Sequence, residues 1–159
     1  MDSTQSLEEK LARRLGVTHA TVATAESCTG GLVAHRITNI AGSSSYFLGG
    51  VVTYSNEAKE RLLDVPRADL EAHGAVSDPV ARAMAEGARK TFGAEWGIGI
   101  TGIAGPGGGT AQKPVGLVYI AVAGPAGVQV SENRFQGSRE HIKAQSAERA
   151  LGLLLEQLA

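Results

Sequence analysis

An apolar, strand-like segment, Thr21 to Ala25, runs straight into Glu26-Ser27-Cys28-Thr29-Gly30-Gly31, and an amphipathic helical pattern follows at once. A strand turned so tightly into a helix constrains the fold, because strands alternating with helices imply helices packed on a sheet. The layout also places a serine hydroxyl at a strand end, beside N–H groups that the first turn of a helix leaves without partners. Such donors and the helix dipole favour negative charge. The place suits an anion site, an oxyanion hole or a serine that must lose its proton.

The rest of the chain repeats the alternation. Ser6-Leu7-Glu8-Glu9 reads as a capping box, Leu7, Leu11, Ala12 and Leu15 form one helical stripe, and Gly16 is the expected stop. A strand is predicted near 20–25 and a helix over about 29–41, burying Val33, Ile37, Ile40 and Ala41 and leaving His35 and Arg36 outside. The β-branched and aromatic run Tyr46 to Tyr54 predicts a strand. Asn56 is the expected cap of a short helix through Leu63, which Pro66 stops; a second short helix fits Arg67 to His73 and ends at Gly74. Asp78-Pro79 reads as a cap with proline at the first helical position, ahead of Val80, Met84, Ala88 and Phe92. Strands follow over 96–101, 115–123 and 128–135, the last two joined as a hairpin by Gly124-Pro125-Ala126-Gly127. Ser138 caps a final helix whose inner face is Ile142, Ala147, Ala150, Leu151, Leu154 and Leu158. The expected architecture is one α/β domain over 1–159, a three-layer α/β/α sandwich with a mixed, mostly parallel sheet.

Composition narrows the function classes. Fifteen basic residues against sixteen acidic ones give no electrostatic footprint for nucleic acid or an anionic membrane surface. Cys28 is the single cysteine, so neither an intramolecular disulfide nor a CxxC zinc site is available. His19, His35, His73 and His141 lie far apart, with no i,i+4 pair for a metal. Met1 to Lys10 is polar, with no apolar core of a signal peptide, and no apolar run approaches the ~20 residues of a membrane span. A soluble, cytoplasmic protein without metal or cofactor is the expectation.

Three segments carry the chemistry: Glu26 to Gly31, Thr53 to Lys59, and Thr101 to Gly109. Each lies where a predicted strand gives way to a loop or helix, and in α/β sheets ligands bind outside the carboxyl ends of strands. Seven of the thirteen residues from Gly97 to Gly109 are glycine, which permits positive φ and close approach to a ligand, or simply a sharp connection. Pattern alone also allows plainer roles. Ser27 serves as a helix N-cap, Cys28 as a small buried hydrophobe or a rival nucleophile, Lys59 as a solvated helix lysine, and Tyr54 as a strand tyrosine. The glycine loop has neither GxxxxGK[ST] nor GxGxxG, so an ATPase or a dinucleotide enzyme is poorly supported.

Taken together, Thr24 to Gly31, Val52 to Lys59, His73 to Ser77, and Thr101 to Gly109 with Lys113-Pro114-Val115-Gly116 closely resemble the motifs of the nicotinamide-nucleotide amidases, the CinA carboxy-terminal domain family. The resemblance runs over nearly the whole chain; in some relatives a larger domain precedes this one. It implies hydrolysis of the carboxamide of nicotinamide mononucleotide to nicotinate mononucleotide and ammonia. By position it makes Ser27 the nucleophile, Lys59 its base and Tyr54 a residue that assists proton movement or orients the pair. Thr29, Gly30, Gly31, Thr101, Gly102 and Gly105 would contact the substrate, and Arg139 would meet the phosphate, with Arg134 and Lys143 as alternatives. Relatives often carry arginine where this chain has Lys143, which keeps the charge but not the planar fork. The partners implied are a small-molecule nucleotide and further copies of the chain in a homo-oligomer. The alternatives are a non-catalytic nucleotide-binding module and a serine–lysine hydrolase of another amide or ester. The chemistry is consistent with the first reading. A lysine acts as a base only when neutral, and each unit of pKa depression costs about 1.36 kcal/mol, which burial or a nearby cation must supply.

Overall fold

The computed structural model describes residues 4–159. Met1 to Ser3, the first residues of the polar N-terminal stretch, lie outside the described residues. In chain order the elements are α1 (Leu7–Thr18), β1 (Val22–Glu26), α2 (Leu32–Thr38), β2 (Phe47–Val52), α3 (Asn56–Leu63), α4 (Arg67–His73), α5 (Asp78–Phe92), β3 (Trp96–Gly102), β4 (Leu117–Gly124), β5 (Gly127–Arg134) and α6 (Arg139–Leu158). The strands form one sheet in the order β2-β1-β3-β4-β5. β1 pairs in parallel with β2 and β3, whereas β3–β4 and β4–β5 are antiparallel. Four strands therefore run one way and β4 alone runs against them, so the sheet is mixed and mostly parallel in direction, as expected.

Alternation along the strands assigns each residue a face. Val22, Ile98, Ile100, Val118, Ile120 and Val122 join the core built with α1, α2 and α6. Ala23 and Ala25 face the other way, toward α3, α4 and α5, and Ala121 and Ala123 meet Ala81 and Ala85 of α5. The result is the three-layer arrangement. The two faces are built differently. Large side chains fill the first, while the second is lined by alanine and glycine so that α5 can lie close to the sheet. A Cβ at Gly97 would stand 2.2 Å from the Ala85 carbonyl, and one at Gly99 2.6 Å from the Ala81 carbonyl. These two glycines serve helix–sheet packing and not a ligand, which corrects part of the reading of the glycine-rich stretch.

Several boundaries moved for local reasons. Gly16 does not end α1; the helix runs on to Thr18, and His19 takes the left-handed conformation at φ 55°. The helix expected over 29–41 shrinks to seven residues, because Gly30 and Gly31 turn the chain at φ 62° and 105° before it starts. Ala41 is then exposed and Ile40 only half-buried. Arg36, expected outside, is half-buried and pairs with Glu8 and Glu148 at 2.8 Å each, tying α1, α2 and α6 together. Two caps sit one residue earlier than expected. The Ser55 hydroxyl accepts from the Ala58 N–H, and Ser77 precedes α5, placing Pro79 at its second position. The hairpin and the Ser138 cap are as expected.

Candidate active site

The register puts the ends of three parallel strands side by side. Glu26 pairs with Val52 on one flank and Ile100 on the other. One step further, the Ser27 N–H donates to the Ile100 carbonyl (3.0 Å), and the Thr53 N–H donates to the Glu26 carbonyl (2.8 Å). The three segments singled out in the sequence thus converge at one edge of the sheet. β1 is also where the strand order reverses, since the chain leaves it for β2 on one side and returns past it to β3 on the other. That is the usual place for a ligand crevice in such folds. A cleft of about 190 Å³ opens there, with Ser27, Tyr54, Lys59, Thr101, Gly102 and Arg139 among its lining residues.

Ser27 is not the N-cap of α2; Gly31 holds that position without a side-chain bond. The serine is freed for another partner, and it has one. Lys59 donates from Nζ to Ser27 Oγ at 3.1 Å and to the Thr53 carbonyl at 2.8 Å, with a longer contact to the Tyr54 carbonyl at 3.4 Å. Lys59 is 1 % exposed, and no carboxylate among the described residues pairs with it. Burial pushes its pKa below the ordinary lysine range, because an ammonium loses its hydration there without a countercharge to replace it. The solvated-lysine reading therefore fails. Its place on α3, four residues before buried Leu63, turns both toward the core.

Glu26 is the residue that the sequence reading passed over. Its carboxylate, 1 % exposed, accepts from the Thr29 hydroxyl (2.6 Å), the Val33 N–H (2.9 Å) and the Ala34 N–H (3.0 Å). The first-turn donors of α2, expected to attract a foreign anion, are thus taken by the protein's own carboxylate. The legible signal was a carboxylate just before a glycine turn into a helix. Thr29 is buried with its hydroxyl committed to Glu26. The N–H groups of Cys28 and Thr29, by contrast, meet no acceptor among the described residues. They follow Ser27 directly in the turn.

Tyr54 lies beyond the end of β2 and is 62 % exposed. Its hydroxyl accepts from Arg139 Nη2 at 2.9 Å, and Arg139 Nη1 donates to the Gly105 carbonyl at 2.6 Å. Arg139 thereby joins the start of α6 to the tyrosine and to the glycine loop. Thr101 is buried and donates to the Ala75 carbonyl at 2.8 Å, fixing the segment that forms the opposite wall. Gly102 lines the cleft, yet a Cβ there would stand 2.6 Å from Val118; one at Gly105 would stand 2.4 Å from Val115. Both positions need glycine for packing whatever else they touch. Gly30 is exposed on the turn after Ser27, near Lys143. Arg134 is an exposed residue ending β5, 3.7 Å from Glu132, and is not in the cleft lining. Cys28 is 6 % exposed, and burial pushes its thiol up to about 11. A thiol so held is a poor rival nucleophile near neutral pH. Among the described residues no group of histidine, cysteine, aspartate and glutamate could hold a metal ion, and no helix is long and apolar enough to cross a membrane.

Comparison with known proteins places the fold and the family. Residues 4–158 match the family described as the CinA C-terminal domain. A CinA-like protein of Anaeromyxobacter dehalogenans is 55 % identical over 148 residues, which is 93 % of this chain and 36 % of that protein. The chain spans little more than a third of the length of such relatives. Among solved structures, the competence/damage inducible protein CihA of Agrobacterium tumefaciens is 42 % identical, with a TM-score of 0.89 over 98 % of both chains. A CinA superfamily protein of Klebsiella pneumoniae is 36 % identical, with a TM-score of 0.92 over 97 % of this chain and 98 % of that one. By residues matched, identity and fold, the chain belongs to the CinA C-terminal domain family.

Proposed function

We propose that the chain is a serine–lysine amidohydrolase that removes the amide nitrogen of nicotinamide mononucleotide, releasing nicotinate mononucleotide and ammonia. The observation that carries the reading is the 3.1 Å contact between Ser27 Oγ and the Nζ of a lysine that is 1 % exposed. Desolvation favours the neutral amine, and a neutral amine can take the serine proton. Ser27 Oγ then bonds to the carboxamide carbon. The oxygen that becomes negative is held by the N–H groups of Cys28 and Thr29. As the carbon–nitrogen bond breaks, the proton on Lys59 passes to the leaving nitrogen, which departs as ammonia. Water, deprotonated by the same amine, attacks the acyl-serine ester; the carboxylate leaves and Ser27 regains its proton. Tyr54, with Arg139 donating to its hydroxyl oxygen, keeps its own proton free to donate toward the substrate. The nicotinamide nucleotide as substrate rests on the motif resemblance and family membership.

The test is ammonia release from nicotinamide mononucleotide by the purified protein, with Ser27→Ala and Lys59→Ala alongside and a chelator present. Turnover that resists the chelator and is lost in both variants supports the reading. Near wild-type turnover by folded Ser27→Ala overturns the mechanism. Saturable nucleotide binding without ammonia release would make the chain a binding module instead.

A further inference from the structure

Two of the motifs that the sequence singles out, His73 to Ser77 and Lys113 to Gly116, take no part in the chemistry above, and the structure joins them. The Lys113 ammonium donates to the His73 carbonyl. His73 is the last residue of α4, so its carbonyl is one of those that a helix leaves without an intrahelical partner. A lysine placed there supplies the missing donor and complements the negative end of the helix. Gly74, at φ 76°, leaves room for it, since a Cβ at that position would stand 3.0 Å from Lys113 Nζ.

The loop that carries the lysine is itself anchored. The Lys113 N–H donates to the Thr110 hydroxyl (3.0 Å), and the Lys113 carbonyl accepts from the Thr110 N–H (2.7 Å), which closes 110–113 into a turn. At the neck of the loop, the Gly116 N–H donates to the Ile103 carbonyl (2.8 Å) and the Ile103 N–H to the Leu117 carbonyl (3.0 Å). Arg139 holds the Gly105 carbonyl. On the receiving side, Ala75 and Val76 come directly after Gly74 and line the cleft with Ser27 and Lys59. A second side-chain tether on this wall is the Thr101 hydroxyl, which donates to the Ala75 carbonyl at 2.8 Å. The serine and lysine are supported elsewhere, through the Ile100 and Thr53 carbonyls. Wall and dyad therefore have separate supports.

We propose that Lys113 is a positioning residue: by bracing the 73–77 wall from the glycine-rich loop, it sets how tightly the cleft grips its substrate without touching the reacting atoms. The identity of that substrate rests on the amidase reading. The experiment compares wild-type protein with Lys113→Met, which keeps the aliphatic stem and removes the donor. It measures amide hydrogen exchange of the 70–77 segment by mass spectrometry and the kinetics of ammonia release from nicotinamide mononucleotide. In Lys113→Met the segment exchanges faster, because its brace is gone. The cleft is then competent for only a fraction of the time, which raises the apparent dissociation constant by the inverse of that fraction. KM rises about tenfold, the size of one hydrogen bond from a charged donor, while kcat stays within about twofold, because the dyad keeps its own supports. A merely structural role gives the opposite split, since a smaller folded fraction lowers kcat and leaves KM unchanged. An unchanged KM therefore overturns the proposal, and so does equal exchange of the segment in the two proteins, whatever the kinetics. If the wild-type protein releases no ammonia, the amidase reading fails and exchange alone decides on the brace: faster exchange in Lys113→Met upholds it, and equal exchange overturns it.

Discussion

Lys59 carries opposite consequences for activity and for stability, and both follow from its burial. Its pKa is lowered in the folded state, so between that value and the ordinary lysine value of about 10.4 the unfolded chain binds the extra proton. Stability contributed by this group therefore rises with pH through that window, and the cost of burying the ammonium is fully present below it. Lys59→Met removes the titration. The stability of wild type relative to Lys59→Met should increase from neutral pH to about 10, which denaturant unfolding at both pH values will show. Activity should climb with pH through the same lowered pKa in wild type and fall at least about 10²-fold in Lys59→Met, the usual contribution of a general base. Cys28 gives a contrasting prediction. With its thiol raised to about 11 by burial, it should resist alkylation at neutral pH, and Cys28→Ala should keep activity within about twofold while moving stability by no more than about 2 kcal/mol. Ser27 and Lys59 were legible as candidates because they lie in strand-end motifs. That Lys59 is buried was half legible, through its i,i+4 relation to Leu63, but nothing local says that a helix of eight residues turns that face inward.

At the level of elements, the turn from β1 into α2 depends on Glu26. Glu26→Ala would leave the Val33 and Ala34 N–H groups and the Thr29 hydroxyl without their acceptor. Each buried unpaired group costs about 1–3 kcal/mol, so thermal melts should show a loss of several degrees or more, and Glu26→Gln, which keeps one acceptor oxygen, a smaller one. The packing of α5 makes a second demand. Gly99→Ala forces a methyl to within 2.6 Å of helix backbone, and overpacking of this kind costs about 1–3 kcal/mol, measurable as a lower denaturation midpoint. Strand existence was readable from β-branched runs and turn residues. Caps were readable to within one residue, since Ser55 and Asn56, or Ser77 and Asp78, are equally good by type and only the backbone decides between them. The late start of α2 was not readable, because a carboxylate from outside the helix does the capping.

Across the whole molecule, the layers followed from alternation of strands and helices, but strand order did not. It is set by pairings such as Val22 with Phe47 and with Trp96, which no short window of sequence records. α6 closes the face built on β1, β3 and β4 and also brings Arg139 to the site. Removal of residues 139–159 should therefore abolish cooperative thermal unfolding along with activity. The sheet has a further consequence at the site itself. The Ser27 and Thr53 amides donate to the Ile100 and Glu26 carbonyls at the ends of the two inner strands β3 and β1, so their hydrogens should exchange slowly with solvent deuterium. The Cys28 and Thr29 amides, a peptide bond or two away, meet no backbone acceptor among the described residues. Faster exchange at these two positions than at Ser27, with the pair slowing once a carbonyl ligand arrives, would report a ligand bonded to them without any turnover being measured.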